Sequence, residues 1–266
     1  MHRTQKINFP GNEVLCFFPS ERLELDRAIA ELQLNVNRPV IVLIGGGIDE
    51  EHADATRRAV QTIAEISEGM NAAVICGGTD MGVMAEIGQR RTQNSYKFPL
   101  IGVAPEELVA WPGGPRSTKF LWWGKQRWQL EPHYSHFILV PGSQFGDESP
   151  WIVDAATALS KGQQSVTILI NGGEVSQKDI ELSLEKGRPV IALSGTGRLA
   201  DEIARQSNLN KLITVVPAGA RERIVDIVQA ALSVHTKRGT SIMAGATTTN
   251  NRLKKQQSSV TKKLPL

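Results

Sequence analysis

Short, unbroken apolar runs alternate with stretches of helical periodicity along most of this chain. The runs at 40–44, 73–76, 136–140, 166–170 and 190–193 each lead into a glycine-rich turn. A continuous apolar run is the pattern of a parallel strand buried on both faces. Strands that alternate with helices read as βαβ units. The pattern predicts strands at about 39–44, 72–76, 99–103, 136–140, 166–170, 188–193 and 212–216. It predicts helices at about 51–67, 81–90, 150–161, 177–187, 198–206 and 219–233. The expected fold class is α/β: a Rossmann-like, mostly parallel sheet of about seven strands with helices on both faces. Residues 1–38 read as an N-terminal extension, with a strand at 14–18 and helical spacing over 21–34. Residues 39–235 form the expected nucleotide-binding domain.

Charge separates the last segment from the rest. Residues 236–266 hold seven Lys and Arg and no Asp or Glu, whereas the preceding 235 residues carry 23 basic and 27 acidic groups, a net of −4. The tail is rich in Ser, Thr, Asn, Gln and Lys and is expected to be basic and disordered. A net-acidic domain argues against a nucleic-acid-binding surface, so no specific nucleic-acid partner is expected. No apolar run nears the ~18 residues of a membrane helix, and 14–18 is too short for a signal peptide's apolar region. Cys16 and Cys76 lie in apolar runs and read as buried thiols in a reducing compartment, so a cytoplasmic location is expected. No zinc-type spacing, P-loop or Ser/His/Asp order is present, and no cofactor is expected. A homo-oligomer is left open.

The glycine turns carry the candidate chemistry, because glycine lets backbone approach a ligand closely and helix N-termini favour anions. Gly45-Gly46-Gly47 reads as a tight turn or as an edge contact to a ribose or phosphate. Gly77-Gly78-Thr79-Asp80-Met81-Gly82 places a glycine in the first turn of a helix, which costs about 1 kcal/mol against alanine. Either a ligand or a neighbouring strand must approach that face. Gly172 and Gly173 follow Asn171, with Ser176 as the expected cap of the next helix and Gly187 at its end. Gly195-Thr196-Gly197-Arg198 sets a cation at the positive end of a helix. A bound phosphate explains that placement, and so does an ion pair with Asp201 or Glu202. Around Gly142 and Ser143, Asp147 and Glu148 read as acid/base groups or as caps of the following helix, with Pro150 at a first helical position.

The segment 105–132 holds Trp111, Trp122, Trp123 and Trp128, interleaved with Arg116, Lys119, Lys125 and Arg127. It reads as a lid over a base, or as aromatic cover for a core or an interface. His133 and His136 read as packed residues.

The stretch 133–205 resembles the SLOG superfamily. The likeness is greatest to the branch shared by prokaryotic proteins and the N-terminal cytosolic region of melastatin-type TRP channels. Ser135-His136-Phe137-Ile138-Leu139-Val140, Asn171-Gly172-Gly173 and the block 187–201 around Gly195-Thr196-Gly197-Arg198 are similar to its strand and nucleotide turns. Gly77-Gly78-Thr79-Asp80-Met81-Gly82 is similar to its first glycine motif. The resemblance implies a Rossmannoid that binds nucleotide-derived ligands, ADP-ribose-like in the channel branch. The superfamily's phosphoribohydrolases carry Pro-Gly-Gly-x-Gly-Thr-x-x-Glu. Here Ser143 replaces the second glycine, Asp147 the threonine and Pro150 the catalytic glutamate, so Asp147 or Glu148 would have to act from a shifted register.

The combined expectation is a cytosolic binding or sensor module for a nucleotide-like small molecule such as ADP-ribose, a binder rather than an enzyme. The alternative is a nucleotide N-glycosidic hydrolase of the phosphoribohydrolase type using Asp147 and Glu148.

Overall fold

A computed structural model describes residues 2–117 and 126–233. The expected basic tail at 236–266, and Lys119, Trp122, Trp123 and Lys125, lie outside the described residues.

The chain runs through β1 (Arg3–Phe9), β2 (Asn12–Phe18), α1 (Leu25–Glu31), β3 (Val40–Gly45), α2 (Ala53–Gly69), β4 (Ala73–Cys76), α3 (Gly82–Gln93) and β5 (Leu100–Pro105). Two short strands follow, β6 (Val109–Ala110) and β7 (Trp128–Gln129), then β8 (His136–Val140) and α4 (Ser149–Ser160). The rest comprises β9 (Ser165–Ile170), α5 (Glu174–Glu185), β10 (Val190–Ser194), α6 (Arg198–Ala204), β11 (Ile213–Pro217) and α7 (Arg221–Ser233). The main sheet has nine strands in the order β1-β2-β8-β5-β4-β3-β9-β10-β11, and β6 pairs with β7 apart from it.

The α/β architecture is as expected, but the sheet has nine strands rather than about seven. The two extra strands are β1 and β2, the antiparallel pair at one edge, with Arg3 opposite Phe18. β1 is missed because its pattern is mixed and half exposed, unlike the apolar runs of the interior strands. The Pro10-Gly11 turn that joins it to β2, with Gly11 at φ +77°, was its only local signal.

Interior strands are apolar on both faces because helices cover both. Along β3, Ile41 and Leu43 pack into one core with Ala59, Val60 and Ile63 of α2, Val83 and Ile87 of α3, and Ile224 and Val228 of α7. Val40, Val42 and Ile44 point the other way, among Ala28 and Ile29 of α1, Ile152 and Ala155 of α4, Ile180 of α5 and Ile203 of α6. This is the period-two alternation of a strand filling two cores at once.

The helix starts differ slightly from those expected. α5 begins at Glu174 with Gly173 as its N-cap, so Ser176 lies inside the first turn rather than capping it. Gly187, at φ +69°, does close that helix, donating to the Leu184 carbonyl at 2.9 Å while the Arg188 N–H reaches Ser183. Such a left-handed glycine is the usual end of a helix.

β3, β4, β5 and β8 run outward in one direction, and the chain then returns through α4 to β9 on the other side of β3. The strand order therefore reverses between β3 and β9. In open α/β sheets a crevice forms at this point, outside the carboxyl ends of the strands.

Candidate functional site

A cleft of about 340 Å³ opens at that reversal. Its floor is the end of β3 and the turn after it, Leu43 to Gly47, with Gly77 and Thr79 after β4. Its walls are Met81 and Met84 at the start of α3, Ile152 of α4 and Val175 of α5. Trp128 and Phe145 stand at the rim, edge to face with ring centroids 5.0 Å apart. Met81 and Phe145 are among the few large apolar side chains left exposed. The volume and the largely apolar lining are those of a small-molecule pocket.

Three acid/base candidates can now be placed. Asp147 accepts the Ser143 and Gln144 N–H groups at 2.9 and 3.2 Å, which holds its carboxyl below the usual range. It closes the turn after β8 and is not among the cleft-lining residues. Glu148 lines the cleft and is 5% exposed. It occupies the N-cap position of α4, yet its side chain makes no cap bond and turns back to accept the Gly146 N–H at 2.7 Å. Burial raises its carboxyl to about 7. Facing the same cleft is Asp179 of α5, 6% exposed, which burial raises to about 6. Asp179 had no sequence signal, because an acid in the second turn of an amphipathic helix looks like any solvated one.

The glycines divide by role. Gly45, Gly46, Gly77 and Thr79 line the cleft. Gly82, at φ +52°, lets the start of α3 pass under the Gly46 carbonyl, where a Cβ would collide; the Val83 N–H donates to that carbonyl at 3.2 Å. The neighbour that approaches Gly82 is thus the turn after β3. Gly78 packs on Gly102 and Phe137, and Gly142 on Asp147 and Pro105. Ser143 is exposed on that same turn.

The turn after β10 is occupied from within. Asp201 takes the N–H groups of Gly195 and Gly197 at 2.5 and 3.0 Å. The Thr196 hydroxyl, fully buried, donates to the Leu193 carbonyl at 2.6 Å and accepts the Asn171 N–H at 2.8 Å. These bonds tie the turns after β9 and β10 together. Arg198 at φ +50° starts α6 and pairs with neither Asp201 nor Glu202. Its guanidinium reaches back instead over Gly46 and Gly173, the turns after β3 and β9. Beneath it is the amide of Asn171, fully buried, whose Oδ1 accepts the Gly172 N–H while its Nδ2 has no partner. α5 has no side-chain cap, so its first-turn N–H groups open at this same point. Beside the apolar cleft there is thus a polar corner with a cation that has no ion pair among the described residues, an orphan amide donor and an uncapped helix N-terminus.

Of the tryptophans, Trp111 is buried against Phe18, 5.8 Å between centroids, as core cover. Trp128 is at the cleft. His136 is half-buried and depressed to about 4 by desolvation, with Ser135 beside it, a packed residue as expected. Cys16 and Cys76 are both buried and unpaired. No described helix is long and apolar enough to cross a membrane.

Residues 38–234 match the family described as SLOG in TRPM, prokaryote. The chain belongs to this family. As a SLOG protein it is also similar in fold to the X-ray structure of TM1055, with 19% identity and a TM-score of 0.51 over 72% of this chain and 98% of that one. The structure of a molybdenum cofactor binding protein from the phototrophic bacterium Rippkaea orientalis matches at 14% identity and a TM-score of 0.41, covering 73% of this SLOG chain and 87% of its own.

Proposed function

We propose that this SLOG protein binds a nucleotide-derived ligand such as ADP-ribose, with the base in the apolar cleft and the phosphates at the polar corner. The observation that carries the reading is Arg198. Its guanidinium lies over Gly46 and Gly173 without an ion-pair partner among the described residues, next to the uncapped N-terminus of α5. A phosphate there joins a guanidinium, helix N–H groups and the Asn171 amide in charge-assisted bonds. The turn at 195–197 contributes by holding Arg198 in place, since Asp201 already fills its N–H groups. Thermal-shift measurement against ADP-ribose, nucleoside mono- and diphosphates and cyclic nucleotides tests this. A ligand that binds only the native state raises the melting temperature with concentration. No shift with any of them overturns the reading.

One observation favours a second reading, N-glycosidic hydrolysis. Glu148 is a buried acid in the cleft whose pKa near 7 suits proton transfer to a departing base. Pro150 stands where the superfamily's phosphoribohydrolases carry their catalytic glutamate, and we expect no free base from nucleoside monophosphates. Chromatographic detection of base release that disappears in Glu148→Gln would establish the hydrolase instead.

A further inference from the structure

A second concavity, a groove of about 390 Å³, lies where α2, α3 and the start of α7 meet. No described residue lines both it and the cleft. Four arginines gather there: Arg57 and Arg58 of α2, Arg90 of α3 and Arg221 at the first position of α7. Among the described residues Asp54 is the one acid in the lining, and its side chain is 85% exposed. Two carboxylates outside the lining hold two of the arginines. Glu86, 9% exposed, accepts from Arg90 through Nε at 2.6 Å and Nη2 at 2.5 Å. Glu65 accepts from Arg221 at 2.6 Å. The other two are left with open donors. The Arg57 guanidinium stays 3.8 Å from both Asp54 and Glu86, beyond hydrogen-bond reach. The Arg58 guanidinium has no hydrogen bond or ion pair among the described residues. The neutral polar groups are satisfied within the protein: the Thr62 hydroxyl donates to the Arg58 carbonyl at 3.0 Å, and the Gln61 amide to Glu65 at 2.9 Å. What the groove offers a ligand is therefore guanidinium N–H.

We propose that this groove is a second binding site, for a compact polyanion made of linked phosphate groups. Guanidinium forks match phosphate oxygens bidentately. A concave surface lined mostly by one sign of charge concentrates counter-ions. α7 begins at the groove, with Gly219 in the lining, and adds a helix N-terminus of the same sign. The length sets the size of the ligand. From Asp54 to Thr62 the lining follows α2 for about 12 Å, at ~1.5 Å per residue, which a single phosphate does not span. No aromatic side chain lines the groove, so recognition rests on the phosphates and not on a stacked base. The first 235 residues carry a net charge of −4, so a long polyanion such as nucleic acid meets repulsion beyond the groove. Inorganic polyphosphate and the phosphate tail of a nucleotide share the chemistry that remains.

Titration calorimetry of the full chain with inorganic triphosphate tests the proposal, with orthophosphate and ATP as further titrants. Triphosphate should bind more tightly than orthophosphate and weaken as salt is added. Arg57 and Arg58 are exposed on α2, where alanine is the better helix former, so their alanine variants should stay folded. Arg57→Ala and Arg58→Ala should each weaken triphosphate about tenfold, the effect of losing a charge-assisted hydrogen bond, and Arg58→Lys should weaken it less. Arg27 lies on α1, which packs on the opposite face of the sheet, and Arg27→Ala should leave binding unchanged. Arg198→Ala should leave it unchanged too. Absence of triphosphate binding overturns the proposal. Equal weakening by Arg27→Ala and Arg58→Ala overturns it in favour of diffuse charge, and loss in Arg198→Ala alone overturns it in favour of the polar corner. ATP distinguishes the two sources, and either result keeps the site. If Arg198→Ala binds ATP as tightly as triphosphate, the occupant is a nucleotide's phosphate tail. If it binds triphosphate and not ATP, the occupant is inorganic polyphosphate.

Discussion

Asp201 holds the Gly197 N–H at 3.0 Å, one residue before Arg198, yet it does not pair with the Arg198 guanidinium. The two charges on the first turn of α6 therefore have separate roles. Asp201 caps the turn, and Arg198 is released toward Gly46 and Gly173. Replacing each should separate folding from binding. Arg198→Ala should lower ADP-ribose affinity at least tenfold, since a hydrogen bond to a charged group contributes about 1.5–3 kcal/mol, and leave the melting temperature unchanged. Asp201→Ala should cost about 1 kcal/mol of stability as a lost cap. Calorimetric titration and chemical denaturation of both variants check this. Loss of stability in Arg198→Ala would make it a structural residue.

Stability should depend on pH through Glu148. Its folded pKa, about 7, lies above the ordinary carboxylate value because of burial. The native state then holds a proton that the unfolded chain has released, so this contribution is present in full below about pH 4.5 and is lost as pH rises through 7. Asp179, raised to about 6, acts in the same sense. His136, depressed to about 4, acts oppositely, costing stability as pH falls from about 6.5. Glu148→Gln isolates the carboxylate: relative to the unaltered protein it should gain a few kcal/mol between pH 5 and 8. Denaturant unfolding at both pH values measures the difference, and a constant difference contradicts the assignment.

Thr196→Val should destabilise the protein by about 2 kcal/mol, because the fully buried hydroxyl serves both the Leu193 carbonyl and the Asn171 N–H. The turn after β9 loses its tie to that after β10, so ADP-ribose affinity should fall as well. A variant with unaltered stability would show that the turns are held by packing alone.

Gly82→Ala should cost more than about 2 kcal/mol, combining left-handed strain with collision against the Gly46 carbonyl. Gly47→Ala is the control. A Cβ there meets nothing within 4 Å, and the variant should fold with unaltered stability. Thermal melts of the pair decide it.

Among the described residues Trp128 is the tryptophan that lines the cleft. ADP-ribose should change its fluorescence, and Trp128→Phe should abolish the change while keeping the affinity within a few-fold. A response that persists in Trp128→Phe would come from tryptophans elsewhere.

The local sequence was enough for the fold class and for which strand-to-helix turns share one edge of the sheet. A strand buried on both faces must be apolar throughout, and parallel strands deliver every strand-to-helix turn to one edge. Glycines at 45–47, 77–78, 172–173 and 195–197 were therefore legible as one edge before any contact was known. The tertiary structure decided which turns are neighbours. Strand order is a long-range choice that no local period encodes, and the reversal between β3 and β9 is what brings Arg198 over Gly46 and Gly173. It also decided which polar groups are already satisfied. Asp201 filling its own turn and Thr196 locking two turns together are contacts between residues whose types fit several roles. Asp179 shows the limit most plainly. Thirty-one residues beyond Glu148, it becomes an unusual acid only when α4 and α5 pack together and exclude water from it, and desolvation is a property of that packing, not of the residue.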